Sequence, residues 1–161
     1  MVLSVCNGRP VPRQSYHVTL AFLGNCEAPL KRFDRLERIV IESATESAPG
    51  FELVLDRFGH WRRPRVLWIG PTRYPPALAG LVAGIRTGLD ELDVTYDHRA
   101  FNAHVTLVRK VTVLPELPEP EPILWRVDEF ALVESTTTPE GPVYGVVRRF
   151  PAGSRHEPHR H

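Results

Sequence analysis

Two histidines and two threonines recur in the same frame. His17-Val18-Thr19-Leu20 and His104-Val105-Thr106-Leu107 are identical runs whose starts lie 87 positions apart. Along an extended chain, residues i and i+2 share a face. Each copy therefore offers an imidazole and a hydroxyl to one side and turns Val and Leu to the other. Imidazole titrates near neutral pH, so of two facing rings one can accept a proton while the other, charged, gives one up. Each positioned transfer contributes on the order of 10²–10⁴ in rate. The hydroxyls can hold oxygens on which negative charge develops. A phosphodiester with an alkoxide leaving group suits this set. A single H-x-T tripeptide carries little information, because Thr is a favoured strand residue and His is often merely half-buried. Two identical copies in matching contexts are far more specific. A metal site would add carboxylate or cysteine ligands at ordered spacings. Asp97 and His98 stand near the second copy, but nothing comparable stands near the first. Metal-free chemistry therefore ranks above metal binding, and no metal ligand is assigned.

These side chains need strands to aim them. β-Branched and aromatic runs predict strands over residues 15–23, 51–57, 65–70, 93–97, 103–109, 126–135 and 143–150. In the first of these, Val18, Leu20 and Phe22 form the core-facing row. Apolar residues at helical spacing predict helices over 28–46 and 76–92. In the second, Leu78, Leu81, Val82, Ile85, Leu89 and Leu92 form one stripe, while Gly80, Gly84 and Gly88 suggest close packing on a sheet. Alternating strands and helices predict a mixed α/β (α+β) domain. "PELPEPEP" at 115–122 reads as an extended surface loop, since proline fixes φ and lacks a donor. "FELVLD" begins 34 positions after the first motif and "FALVES" 26 after the second, which suggests an internal duplication and two lobes related by a pseudo-two-fold axis.

At these motifs the chain resembles the two-histidine phosphoesterase superfamily, and within it the RNA 2′,3′-cyclic phosphodiesterases, also called 2′-5′ RNA ligases. "GRPVPRQSYHVTLAFLG", "DRFGHWRRPRVLWIGP", "DHRAFNAHVTLVRK" and "FALVESTTTPEGPVYGVVRRF" carry the resemblance, from about Gly8 to Pro151. It implies a bilobal fold of mainly antiparallel sheet, with outer helices flanking a central cleft. His17 would be the proton donor and His104 the proton acceptor, with Thr19 and Thr106 on the phosphate. Arg109 matches an arginine that commonly closes the second motif. Strict alternation puts it on the face opposite His104, so RNA phosphate binding and a surface salt bridge stay equally open. The implied reaction opens a terminal 2′,3′-cyclic phosphate to a 2′-phosphomonoester. Reversible formation of a 2′-5′ RNA bond is the related capacity, and neither needs a cofactor. The implied partners are RNA ends bearing the cyclic phosphate, or small cyclic nucleotides. Ala103 stands where the family usually has proline. The family also opens with a strand and a long helix, whereas 16 residues precede His17, so that strand and helix are expected to be missing.

Composition bounds the rest. At 161 residues, 42% hydrophobic and 24% charged, the chain suits one domain over 1–152 with a disordered tail, 153–161. The first motif belongs to one lobe and the second to the other. A net charge of +1 gives no large footprint for duplex nucleic acid, while a single phosphate group remains compatible. No apolar run is long enough to span a bilayer, and the first residues lack the features of a signal peptide. Cys6 and Cys26 are too few for a disulfide framework, so a monomeric cytoplasmic protein is expected. Trp61, Trp68, Trp125, Tyr144 and Phe101 could stack bases, though no individual contact is assigned. His60 and His98 are expected to be structural or surface residues.

Overall fold

The computed structural model describes residues 6–24, 50–139 and 141–152. The helix expected over 28–46, Cys26 and the tail from 153 lie outside the described residues. The described chain is α+β, with strands β1 (Arg9–Pro10), β2 (Phe51–Leu55), β3 (Arg57–Trp61), β4 (Val66–Gly70), β5 (Val105–Arg109), β6 (Ile123–Val127), β7 (Glu129–Thr138) and β8 (Gly141–Pro151). A helix, α1 (Pro76–Glu91), lies between β4 and β5. Two compact units result. One comprises Met1–Leu20, Leu53–Arg73 and Phe101–Trp125; the other comprises Ala21–Glu52, Tyr74–Ala100 and Arg126–His161. Both His-Val-Thr-Leu copies fall in the first unit.

The first unit is built on a sheet ordered β1-β5-β4-β3, antiparallel at every junction. β4 lies inside it and is buried along its whole length, which explains its unbroken apolar run, Val66-Leu67-Trp68-Ile69-Gly70. Leu67, Val108 and Val111 form a fully buried cluster beneath it, joined by Cys6, Leu107 and Leu117. β1 is only two residues long, yet it is firmly fastened. The Asn7 amide donates to Thr112 Oγ1 (2.6 Å), and its Oδ1 accepts from the backbone N–H groups of Thr112 (3.1 Å) and Val113 (2.9 Å). Gly8 follows at φ +126, where a Cβ would meet the Arg109 carbonyl oxygen at 2.7 Å. At the β2–β3 corner Asp56 accepts from Thr72 N and Thr72 Oγ1, each at 2.7 Å. The hydroxyl bond leads in holding its carboxyl below the usual range.

In the second unit α1 buries Leu78, Leu81, Val82, Ile85, Gly88 and Leu89. Proline occupies its first position, where an N–H would have no partner within the helix. Of the three glycines expected to pack closely, Gly88 is buried, Gly84 half-buried and Gly80 exposed, so tight approach is confined to the last turns. β7 and β8 form a long antiparallel ribbon, with Phe130 stacked on Phe150 at 5.3 Å.

Two expected strands do not form. Residues 16–24 and 94–98 carry no ladder, although the Asp97 N–H donates to the Phe22 carbonyl at 2.9 Å. Phe22 is 62% exposed and is not a core residue. Conversely β3, Arg-Phe-Gly-His-Trp, went unpredicted because a glycine and charged residues break the strand pattern.

Candidate active site

The second motif begins at the entry to β5. His104 precedes the strand by one residue, and Thr106 lies within it. The first motif reaches the same region by a short path. Arg9 and Pro10 pair with Arg109 and Val108, and the Val11 N–H continues the run by donating to the Leu107 carbonyl at 2.8 Å. Being antiparallel, this segment carries the chain from the Arg109 end of β5 toward the His104 end. The 3-10 turn Arg13–Ser15 then delivers His17. His17 and Thr19 are exposed while Val18 and Leu20 are half-buried, so the expected alternation of faces survives without a ladder.

Both histidines are held in the same way. Nδ1 of His17 lies 2.7 Å from the Ser15 carbonyl oxygen, and Nδ1 of His104 lies 2.7 Å from that of Asn102. A carbonyl can only accept, so each Nδ1 carries the hydrogen and donates it. The neutral ring then has its lone pair on Nε2, fixing the tautomer and the nitrogen that can exchange a proton. The acceptor lies two residues upstream in both copies, although Ser15-Tyr16 and Asn102-Ala103 share no letter.

Their surroundings differ. The His104 ring meets Trp61 edge-on at 4.5 Å (74°) and stands 6.3 Å from Trp68, and the two indoles are themselves 5.4 Å apart. Burial lowers the His104 pKa from the ordinary 6.5; the Asn102 carbonyl opposes this, and the charges of His17 and Arg109 add to it. His17 and Arg109 are thus near enough to be felt at the His104 ring. The sequence had not singled out Trp61 as the neighbour of His104. The register pairs Trp61 with Val66 and Val66 in turn with Arg109, and it is the indole that reaches His104.

Arg109 departs from the strict alternation expected for it. Trp68 pairs with Thr106 but Leu67 pairs with Val108, leaving Leu107 as an extra residue in a β-bulge. Directly paired residues share a face, as do Trp68 and Val66 two apart on β4. Thr106, opposite Trp68, and Arg109, opposite Val66, therefore lie on the same face despite their odd spacing. The bulge brings Arg109 to the side of the sheet that carries Trp61, Trp68 and His104. Arg57 occupies that face too, its guanidinium 5.5 Å from the Trp68 ring centre. The indole of Trp68 lies over Gly59, where any Cβ would collide with it. His60 lies on the opposite face of the sheet, and the His98 ring meets that of Tyr96, tilted, at 4.1 Å. Among the described residues, no three His, Cys, Asp or Glu side chains are grouped so as to hold a metal ion, and no helix is long and apolar enough to cross a membrane.

Residues 4–139 match the 2′-5′ RNA ligase superfamily. The RNA 2′,3′-cyclic phosphodiesterase of Escherichia coli K12 is 33% identical over 131 residues, covering 80% of this chain and 71% of that protein. The protein of the same name from Thermus thermophilus is 32% identical over 161 residues, covering 92% and 77%. Among solved structures, E. coli LigT in its apo form superposes with a TM-score of 0.78 at 30% identity, covering 91% of this chain and 81% of LigT. LigT complexed with 3′-AMP gives 0.77 at 31%, covering 89% and 80%. In sequence and in fold alike, this chain belongs to the 2′-5′ RNA ligase superfamily.

Proposed function

We propose that the chain is an RNA 2′,3′-cyclic phosphodiesterase, a hydrolase that opens a terminal 2′,3′-cyclic phosphate to a 2′-phosphomonoester. The relatives from E. coli and T. thermophilus carry that name, and one structural neighbour holds a nucleotide, 3′-AMP. The observation that carries the reading is the pair of carbonyl-anchored imidazoles, one of them kept neutral by burial.

In this reading Nε2 of His104 takes a proton from water as the oxygen attacks phosphorus. Its lowered pKa suits a base, since the ring is neutral at pH 7. The P–O3′ bond breaks, and His17 gives its Nε2 proton to the departing 3′ oxygen. His17 is exposed, and its Nδ1–H holds the Ser15 carbonyl. The Thr19 and Thr106 hydroxyls donate to the non-bridging oxygens, and Arg109 balances the charge that gathers there. A 5′-hydroxyl in place of water would form a 2′-5′ bond by the same transfers, reversibly. The proton steps call on no metal or cofactor. One chain supplies all five side chains, so the reading is of a monomer; it places the enzyme in the cytoplasm, which suits the free thiol of Cys6.

The test is hydrolysis of an oligoribonucleotide ending in a 2′,3′-cyclic phosphate, run in EDTA. A 2′-phosphate product formed at an undiminished rate is expected. Loss of turnover in EDTA, or a 3′-phosphate product, overturns the reading.

A further inference from the structure

The face that carries His104 continues past the two indoles. Arg57, Gly59 and Trp61 alternate along β3 and share that face. Trp68, the cross-strand partner of Gly59, stands between the ends of this row. Its ring centre is 5.4 Å from that of Trp61 and 5.5 Å from the Arg57 guanidinium. His104 stands against the two indoles, 4.5 Å from Trp61 and 6.3 Å from Trp68. Arg57 is thus one ring removed from His104, and all these residues belong to the first unit. Glycine at 59 permits the arrangement, because the Trp68 indole crosses β3 where a Cβ would be.

This far end of the face is rich in donors. Arg57 is exposed, and its guanidinium lies over the indole without a hydrogen bond to any described residue. The neighbouring carboxylate, Asp56, is engaged by Thr72 through both oxygens, at 2.7 Å each, and not by Arg57. The Nε1–H of Trp68 is buried and also finds no acceptor among the described residues. A guanidinium has five N–H donors and cannot accept. Held over a ring by its π face, it keeps those donors, which lie in its own plane, available to a ligand. A group that meets this corner must therefore bring acceptors. A nucleoside whose phosphate lies at His104 spans the interval across Trp68 to Arg57. Nucleobases differ in what they offer there. Guanine presents O6 and N7, two acceptors that fit the guanidinium fork, and uracil presents O4. Adenine sets an amino donor beside N7, and cytosine presents an amino donor.

We propose that Arg57 is a specificity-determining residue that donates to the base of the nucleotide bearing the cyclic phosphate and favours guanine over adenine and cytosine, with uracil between them. This rests on the cyclic phosphodiesterase reading and adds to it a base preference, which the paired motifs and the phosphate grip do not themselves require.

The test compares guanosine, uridine, adenosine and cytidine 2′,3′-cyclic phosphates as substrates of wild type, Arg57→Ala and Arg57→Gln. Wild type should prefer guanosine to adenosine about tenfold in kcat/KM, the scale of one bidentate pair, and chiefly through KM. Arg57→Ala should bring that ratio to about one, and Arg57→Gln should reverse it, because a carboxamide matches its own donor and acceptor to adenine N7 and N6. A loss shared equally by all four substrates overturns the proposal, since Arg57 would then act on the phosphate, or on His104 through Trp68. A wild-type enzyme indifferent to the base overturns it too, as does a guanosine preference that survives Arg57→Ala. Calorimetry with guanosine 2′-phosphate and adenosine 2′-phosphate reads the same ratio without turnover. If guanosine 2′-phosphate binds about tenfold more tightly and Arg57→Ala removes the difference, while none of the four cyclic phosphates is opened, the base preference stands and the phosphodiesterase reading falls. Equal affinities for the two monophosphates overturn the role of Arg57, even where all four cyclic phosphates are hydrolysed.

Discussion

His17 and His104 share the residues that follow them and the carbonyl grip on Nδ1, and differ in nearly everything else around the ring. His17 sits exposed on a segment without a ladder, after a single 3-10 turn. His104 enters a strand of a four-stranded sheet, half-buried against two indoles. One tetrapeptide thus meets two environments, and burial lowers the pKa of the His104 ring. The proposed acid and base would need different surroundings, and one copy is paired into a sheet while the other lies outside it.

The largest effects should come from the rings themselves. His17→Ala and His104→Ala are each expected to lower kcat/KM by about 10²–10⁴. The pH profile then tests the contrast. Loss of His104 should remove the acidic limb, where a base must be neutral, and loss of His17 the alkaline limb, where an acid must be charged. Removal of the same limb by both variants would break the assignment.

Next come the hydroxyls. Thr19→Val and Thr106→Val should each cost about 10²-fold in kcat, the scale of one donor to developing charge. Equal losses mean that both copies grip the phosphate, whereas an effect of Thr106 alone would leave the first copy as a ring and nothing more.

A smaller effect probes the floor beneath His104. Gly59→Ala places a methyl where the Trp68 indole lies. It should cost about 1–3 kcal/mol of stability in chemical denaturation, as overpacking does. His104 should be disturbed with it and His17 should not. An unaltered denaturation midpoint would mean that Trp68 has another place to go.

The finest test is Trp61→Ala. It removes an edge-to-face contact worth about 0.5–1.5 kcal/mol. It also hydrates His104, so the ring's pKa should rise toward 6.5. The sign follows directly: burial favours the neutral ring, wild type keeps its base unprotonated to a lower pH, and the variant's acidic limb moves upward. A limb that stays in place would show that the indole does not set the charge of His104.

Much of this was legible in the sequence, for local reasons. β4 announced itself as a continuous apolar run, α1 by its leucine stripe, and the two motifs by their identity. Whether residues 16–24 pair with a neighbour is decided by chain far away, so β-type residues alone misled there. β3 was hidden because Gly59 looks like a breaker until Trp68 is seen lying across it.

The bulge at Leu107 makes β5 a strand whose residues are counted. A pleat has two sides, so in a regular strand the odd interval from Thr106 to Arg109 would put the two residues on opposite faces. Were all residues of β5 paired in strict alternation, Arg109 would turn into the row now held by Val105 and Val108, which are 4% and 0% exposed, and Val108 would take its place. Deleting Leu107, the unpaired residue, would close the bulge and leave Thr106 and Arg109 on one face, whereas losing the bulge at the present length would bury a guanidinium. The odd interval in His-Val-Thr-Leu-Val-Arg is therefore matched to the bulge, and Leu107 is the residue whose deletion should keep Thr106 and Arg109 together.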